Sequence, residues 1–161
     1  MVSSRSGHGK INTDGAVRVH ERRAGAGVVA RDHTGAVVGA MAVPLPGLMD
    51  PLIVEAMAML RGIQWAIDRQ WRYVCFEADC SVLIAALKGR VTQYQYEVGE
   101  IFQDCLDLIS CFDKVEFTHI KRQGNAVADT IARSACHATE VCVWEENVPA
   151  QFRAVAMSDL V

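Results

Sequence analysis

Four acidic residues in four separate segments of the chain are the first candidates for chemistry: Asp14, Glu55, Asp79 and Asp129. Asp14 lies inside an apolar strand pattern, a position that disfavours aspartate. The other three lie where a predicted strand ends or in the first turns of a predicted helix. Carboxylates that converge from such positions can hold two Mg²⁺ ions, and sites of this kind cleave or transfer phosphodiesters. Each acid alone is more simply a solvated surface residue or a helix-start acid, so the prediction depends on the joint pattern.

Hydrophobic periodicity predicts the elements that must position these acids. Three strands joined by short turns come first, over residues 11–18, 25–31 and 36–43, and predict an antiparallel meander. A helix follows, with Asp50 as its N-cap, Pro51 as its first residue and Glu55 early in its length. Further segments then predict a strand, two helices, a strand and a helix, at residues 73–77, 82–88, 97–109, 115–119 and 125–136. This order predicts an α/β fold with a five-stranded mixed sheet flanked by helices.

The size and composition predict a single globular domain. A chain of 161 residues, 51% of them hydrophobic, can bury a proper core. Residues 1–9 form a polar leader that we expect to be flexible, residues 10–138 the domain and residues 139–161 a C-terminal tail. The leader lacks the hydrophobic segment of a secretory signal, and no apolar run is long enough for a membrane helix. We therefore expect an intracellular monomer, nuclear or cytoplasmic, that is neither secreted nor bound to a membrane.

The six cysteines are spaced without a C-x-x-C pair or a zinc-binding pattern. This favours free and mostly buried thiols in a reducing compartment. No neighbouring residue is suited to activating a thiolate, so a cysteine nucleophile is not predicted.

The net charge of −3 does not exclude a polyanionic substrate. Setting aside the four predicted site acids leaves sixteen basic residues against fifteen acidic ones, a balance of +1. Two bound Mg²⁺ ions give the same balance. The charge argues only against strong non-specific binding to nucleic acid.

The predicted element order and the four acids together resemble the ribonuclease H family, most of all the reverse-transcriptase-associated domains abundant in plant genomes. The resemblance runs from about Lys10 to Ala138. Five motifs in the family's order carry it: INTDGA (11–16), GVVARDHTGAVVGA (27–40), EAMAMLRGIQWA (55–66), FEADCSVLIAAL (76–87) and FTHIKRQGNAVADTIARSA (117–135).

The resemblance implies hydrolysis of the RNA strand of RNA–DNA hybrids, with Mg²⁺ or, as a substitute, Mn²⁺. The four acids named above match the family's metal-holding carboxylates. In that chemistry one ion activates a water and the other stabilises the departing 3′ oxygen. Gly15 would let the backbone approach the RNA strand, and Asn125 would direct its amide toward the substrate. Lys121 and Arg122, close in sequence to Asp129, would contact phosphates.

Two alternatives remain open from the sequence. A catalytically silent retroelement-derived domain on the same fold could bind nucleic acid or another partner. The second alternative is a different nuclease of the same fold, although a proofreading-type exonuclease would need two acids separated by one residue on the first strand, which the segment Asp14-Gly15-Ala16 lacks. His119 is expected to be a strand residue with a hydrogen-bonded ring, and not a proton shuttle. Glu77 is a weaker fifth acid, for which a structural role is the simpler interpretation.

Overall fold

A computed structural model of the chain describes residues 7–91, 93–145 and 147–159. Its centre is a single mixed sheet of six strands in the order β5-β4-β1-β2-β3-β6. The strands are β1 (His8–Arg18), β2 (Arg23–Arg31), β3 (Val37–Pro44), β4 (Tyr73–Ala78), β5 (Lys114–His119) and β6 (Cys142–Trp144). The predicted antiparallel meander is present, since β2 pairs antiparallel with both β1 and β3. β4 joins the other side of β1 in parallel, and β5 pairs in parallel with β4.

Five α-helices are described around this sheet: α1 (Pro51–Asp68), α2 (Ser81–Leu87), α3 (Tyr96–Leu108), α4 (Ala126–Ala135) and α5 (Ala150–Asp159). α1 packs on one face, where its Gly62 lies against Ile11 and Thr13 of β1. α4 packs on the opposite face, where Gly27 of β2 lies directly against the backbone of Ala128. A larger core therefore lies between the sheet and α1, α2 and α3, and a smaller one lies beneath α4 and α5.

The start of α1 is formed as the sequence predicts. The Asp50 carboxylate accepts hydrogen bonds from the backbone N–H groups of Leu52, at 2.9 Å, and Ile53, at 3.4 Å. Pro51 lies in the first turn, where its missing N–H costs nothing. This cap fixes where the helix begins and therefore how far along it Glu55 lies.

The predicted strand count of five is wrong, because the sheet has six strands. The additional strand, β6, pairs antiparallel with β3 over three residues, Cys142 to Trp144. A segment this short shows no periodicity of its own, and it is held by the pairing and by the contact of Trp144 with the buried Phe152 of α5. It lies in the segment predicted as a tail. At the other end, β1 begins at His8, inside the predicted leader, of which residues 1–6 lie outside the described residues.

All six cysteines are free thiols, as expected, but only two of them are buried. Cys105 and Cys136 are buried, Cys111 is exposed, and the remaining three are half-buried. The expectation of mostly buried thiols is therefore met only in part. Among the described residues, no helix combines the length and the apolar character that crossing a membrane requires.

Candidate metal centre

Asp14 lies on β1, between β2 and β4 at the centre of the sheet. Its side chain is only 4% exposed, and one of its oxygens accepts a hydrogen bond from the backbone N–H of Gly15 at 2.9 Å. A carboxylate in this position is largely removed from water. Such burial is costly for the charged form unless a cation or several donors compensate it.

Glu55 reaches Asp14 because α1 lies unusually close to β1. A Cβ atom on Gly15 would lie 2.7 Å from Cγ1 of Val54 and 3.2 Å from the backbone nitrogen of Glu55. Any side chain at residue 15 would therefore push the helix away from the strand. The approach of RNA to Gly15 stays a prediction, and the structure places Gly15 at the contact between β1 and α1, beside the backbone of Glu55.

Asp79 follows the last residue of β4 directly. Asp79 is not the N-cap of the helix that follows, because the N-cap of α2 is Cys80. The carboxylate of Asp79 is instead grouped with those of the two other acids. One oxygen each from Asp14, Glu55 and Asp79 lies within 4.8 Å of the other two. Three of the four predicted acids are thus brought together from a central strand, a helix and a strand end.

The electrostatics of this cluster favour a bound cation. Burial is the main cause that raises the pKa of Asp14 to about 7 and that of Glu55 to about 10, and repulsion from Asp79 adds to both. A hydrogen bond between Asp14 and Glu55 favours the charged form of Asp14 and the protonated form of Glu55. Oε2 of Glu55 is buried and has no hydrogen-bond partner among the described residues. An orphaned carboxylate oxygen beside two further carboxylates fits the all-oxygen ligand set that Mg²⁺ prefers.

Asp129 lies in the first turn of α4 and lines the same pocket, but the other three acids form a group without it. Its Oδ2 forms an ion pair with Nη2 of Arg133, one helical turn further along, at a distance of 2.8 Å. Arg133 is not among the site residues predicted from the sequence. The spacing of four residues between an acid and an arginine on a predicted helix was the signal that could have identified it.

Asn125 is placed differently from the expectation that its amide faces the substrate. Its side chain is 1% exposed, and its Nδ2 donates a 2.9 Å hydrogen bond to the main-chain carbonyl of Thr13. The residue ends a short 3₁₀ turn, Arg122–Asn125, that leads into α4. Asn125 therefore ties the start of α4 to the strand that carries Asp14, and the substrate role predicted for it stays a prediction without geometric support.

The remaining wall of the pocket is the segment after β5. His119 through Gln123 line it together with the acids, around a volume of about 500 Å³. His119 is the last residue of β5, and its Nε2 lies 3.2 Å from the main-chain oxygen of Asp79, so its ring has a partner as expected. Lys121 and Arg122 are exposed, and neither takes part in an ion pair of the part of the chain that the structure describes.

Glu77 lies outside this pocket, which favours its structural interpretation. Its carboxylate pairs with Nζ of Lys10 at 3.3 Å and accepts a hydrogen bond from Nδ2 of Asn12 at 3.1 Å. Both partners belong to β1, so Glu77 joins β4 to β1 on the face of the sheet away from α1.

Comparison with known proteins shows the family to which the chain belongs. Residues 12–135 match the model of the reverse transcriptase-like family. A protein of Arabidopsis thaliana that is provisionally named a ribonuclease H protein is 29% identical over 134 residues, which make up 83% of this chain and 21% of the relative. The chain thus spans about a fifth of the length of that relative.

Two solved structures show the same fold. RNase H1 of the halophilic archaeon Halobacterium salinarum superposes with a TM-score of 0.75 at 21% identity, over 80% of this chain and 97% of its own. LC11-RNase H1, isolated from compost and solved in complex with an RNA/DNA hybrid, superposes with a TM-score of 0.72 at 20% identity, over 80% of this chain and 96% of its own. Both likenesses confirm the predicted ribonuclease H-like α/β fold.

Proposed function

Because the chain belongs to the reverse transcriptase-like family and carries a ribonuclease H-like domain, we propose that it is an endonuclease that hydrolyses the RNA strand of RNA–DNA hybrids. The observation that supports this most directly is the convergence of Asp14, Glu55 and Asp79 within 4.8 Å. One of its structural relatives, LC11-RNase H1, was solved with an RNA/DNA hybrid bound, which is consistent with the same substrate here.

Mg²⁺, with Mn²⁺ as a substitute, is the cation that these acids would hold, two ions in all. When bound, Mg²⁺ supplies Lewis acidity that polarises a phosphodiester and lowers the pKa of a water molecule. The three clustered carboxylates would supply the ligands for the first ion, among them the Oε2 of Glu55 that lacks a hydrogen-bond partner among the described residues. Asp129, on the same pocket wall, would complete the ligand set for the second ion.

Exposed cations beside the acids would orient the nucleic acid. Lys121 and Arg122 line the pocket on the side of β5 and can approach phosphates without breaking an ion pair among the described residues. Contacts of this kind position the duplex and carry no sequence information. The low net charge is consistent with binding that depends on the carboxylate site and a few cations, and not on a broad basic surface.

A cleavage assay tests the proposal. The purified chain is incubated with end-labelled RNA–DNA hybrid, double-stranded DNA or single-stranded RNA in the presence of Mg²⁺. We expect internal cuts in the RNA of the hybrid alone, and their loss in Asp14→Asn. Glu116→Gln, which removes an exposed acid of β5 paired with Lys114, is the matched control and should cleave normally. Equal cleavage by Asp14→Asn would point to a contaminating nuclease and remove support for the proposal.

A catalytically silent domain that binds nucleic acid is the second candidate. The observation that favours it is the pairing of Asp129 with Arg133, which leaves three carboxylates in the group. On this alternative the chain would retain the hybrid in a binding assay and leave it intact at every concentration of Mg²⁺ or Mn²⁺. Binding without cleavage would therefore choose this function over the first.

A further inference from the structure

The fourth acid and its arginine partner form a small unit on α4. Asp129 lies in the first turn of the helix and Arg133 in the last, and their side chains meet at 2.8 Å. The side chain of Asp129 is 21% exposed and that of Arg133 is 58% exposed. The carboxylate thus borders both the acid-lined pocket and open solvent, and it pairs there with the guanidinium one turn along its own helix.

We propose that Arg133 is a positioning residue that competes with the second divalent cation for the carboxylate of Asp129. This inference rests on the proposed function, because it takes the four acids as metal ligands. Asp14, Glu55 and Asp79, whose oxygens are already grouped, would hold the first ion. Asp129, which already lines the pocket, would hold the second ion by exchanging Arg133 for it. The affinity of the second ion is therefore set by the ion pair as well as by the ligands.

The physical character of the pair suits this role. Both partners are partly exposed and lie four residues apart on one helix, a geometry that contributes little to stability and that salt weakens. A divalent ion can therefore displace the guanidinium readily. While the pair is intact, the positive charge of Arg133 neutralises the ligand and also repels an incoming cation, and both effects lower the affinity of the second ion.

Metal binding by the full chain, without nucleic acid, tests the inference. Titration calorimetry with Mn²⁺ should resolve a tighter and a weaker binding step. In Arg133→Gln we expect the affinity of the weaker step to rise by about two- to fivefold, the change that corresponds to the energy of an exposed ion pair. The affinity of the tighter step should change less. Arg133→Lys keeps the charge and should stay close to the unmodified protein.

Two further variants make the test specific. Arg72→Gln removes an arginine of the same charge from another exposed ion pair, with Asp113 at 2.7 Å, and should leave both steps unchanged. Asp129→Asn should abolish the weaker binding step, and the double variant Asp129→Asn/Arg133→Gln should lack that step as well. The inference would be overturned if the affinity of the weaker step were unchanged in Arg133→Gln, or if it rose equally in Arg72→Gln.

The outcome can be separated from that of the proposed function. If Arg133→Gln strengthens the weaker step while the hybrid stays uncut, the ion-pair inference holds and the nuclease proposal fails. If the hybrid is cut but the weaker step does not respond, the inference alone fails. If Mn²⁺ does not bind at all, both fail. In a protein that cleaves, the Mn²⁺ concentration for half-maximal cleavage should fall in Arg133→Gln in step with the calorimetric shift.

Discussion

The side-chain amide of Asn125 donates a hydrogen bond of 2.9 Å to the main-chain carbonyl of Thr13, the residue before Asp14 on β1. This bond joins the start of α4 to the central strand of the sheet across the point where the acids meet. It fixes where Asp129, four residues further along, lies relative to the three clustered carboxylates. Asn125, which is 1% exposed, thus affects the candidate site by fixing where Asp129 lies.

Loss of this hydrogen bond should lower stability and separate the fourth acid from the others. Asn125→Ala leaves the carbonyl of Thr13 buried without its partner, which costs about 1–3 kcal/mol in the free energy of unfolding. Urea denaturation measures this cost. Gln123→Ala, an exposed residue of the same turn, is the control and should stay within about 0.5 kcal/mol of the parent. An equally stable Asn125→Ala variant would show that water replaces the amide without penalty.

The metal-free protein should lose stability as the pH rises from about 4, up to about 7 for Asp14 and on to about 10 for Glu55. The pKa of Asp14 is about 7 in the folded state, against 3.8 for the ordinary group, and that of Glu55 is also raised. Between these values the folded state binds more protons than the unfolded state, so the free energy of unfolding decreases as the pH increases. Denaturation in EDTA at several pH values measures this slope.

Neutralising one member of the cluster should remove much of that slope. Asp14→Asn in EDTA is therefore expected to melt at a higher temperature than the parent at pH 7, by an amount that corresponds to about 1–3 kcal/mol. Added Mg²⁺ should reduce the difference in melting temperature between the variant and the parent, because the ion stabilises the parent with its intact carboxylates. A clear fall in melting temperature for Asp14→Asn would contradict the mutual repulsion of the acids.

The contact between Gly15 and α1 should be intolerant of any side chain. In Gly15→Ala the new Cβ would lie 2.7 Å from Cγ1 of Val54, so the helix must shift and carry Glu55 away from Asp14. We expect a loss of about 1–3 kcal/mol in the free energy of unfolding, together with weaker Mn²⁺ binding. Gly124→Ala is the matched control, because an added Cβ there meets no atom within 4 Å. Normal Mn²⁺ affinity in Gly15→Ala would show that α1 adjusts without moving Glu55.

Lys121 and Arg122 should contribute to hybrid binding, whereas His119 should matter little. Replacing both cations with alanine is expected to weaken binding and to reduce the slope of log affinity against log salt by about 2, roughly one per phosphate contact. The rate at saturating hybrid should remain largely intact. Single-turnover cleavage at several salt concentrations measures both quantities.

His119→Ala serves as the comparison in the same assay. Because its ring is fixed at the end of β5 and bonded to the main chain of Asp79, we expect little change in the saturated rate. A large loss of rate with normal binding would instead assign His119 to proton transfer.

Much of the fold and three members of the candidate site could be predicted from the sequence, because their signals are local. Asp50 and Pro51 mark the start of α1, and alternation of apolar residues marks β1 and the strand that ends before Asp79. Once the element order predicts one mixed sheet, acids at these positions must face a common point. The resemblance to the ribonuclease H family then adds Asp129.

The features that could not be predicted depend on side-chain partners across the fold. The spacing of four residues permits Asp129 to pair with Arg133, but whether the two side chains meet is decided by their rotamers. Asn125 faces inward because a carbonyl of β1, more than a hundred residues earlier in the chain, lies within its reach. The short strand β6 forms by antiparallel pairing with the free edge of β3, a partner distant in sequence.

The strand order of the sheet also determines when the site comes into existence as the chain folds. β1, β2 and β3 are neighbours in sequence and can pair as soon as they have been synthesised, but β1 meets β4 only through a parallel pairing that must wait for α1 and everything between them. A nascent chain that ends after β3 contains only Asp14 of the four candidate acids and therefore lacks the other metal-binding carboxylates. If the proposed function holds, metal affinity should therefore arise late in folding, and its appearance during refolding should report closure of the parallel half of the sheet.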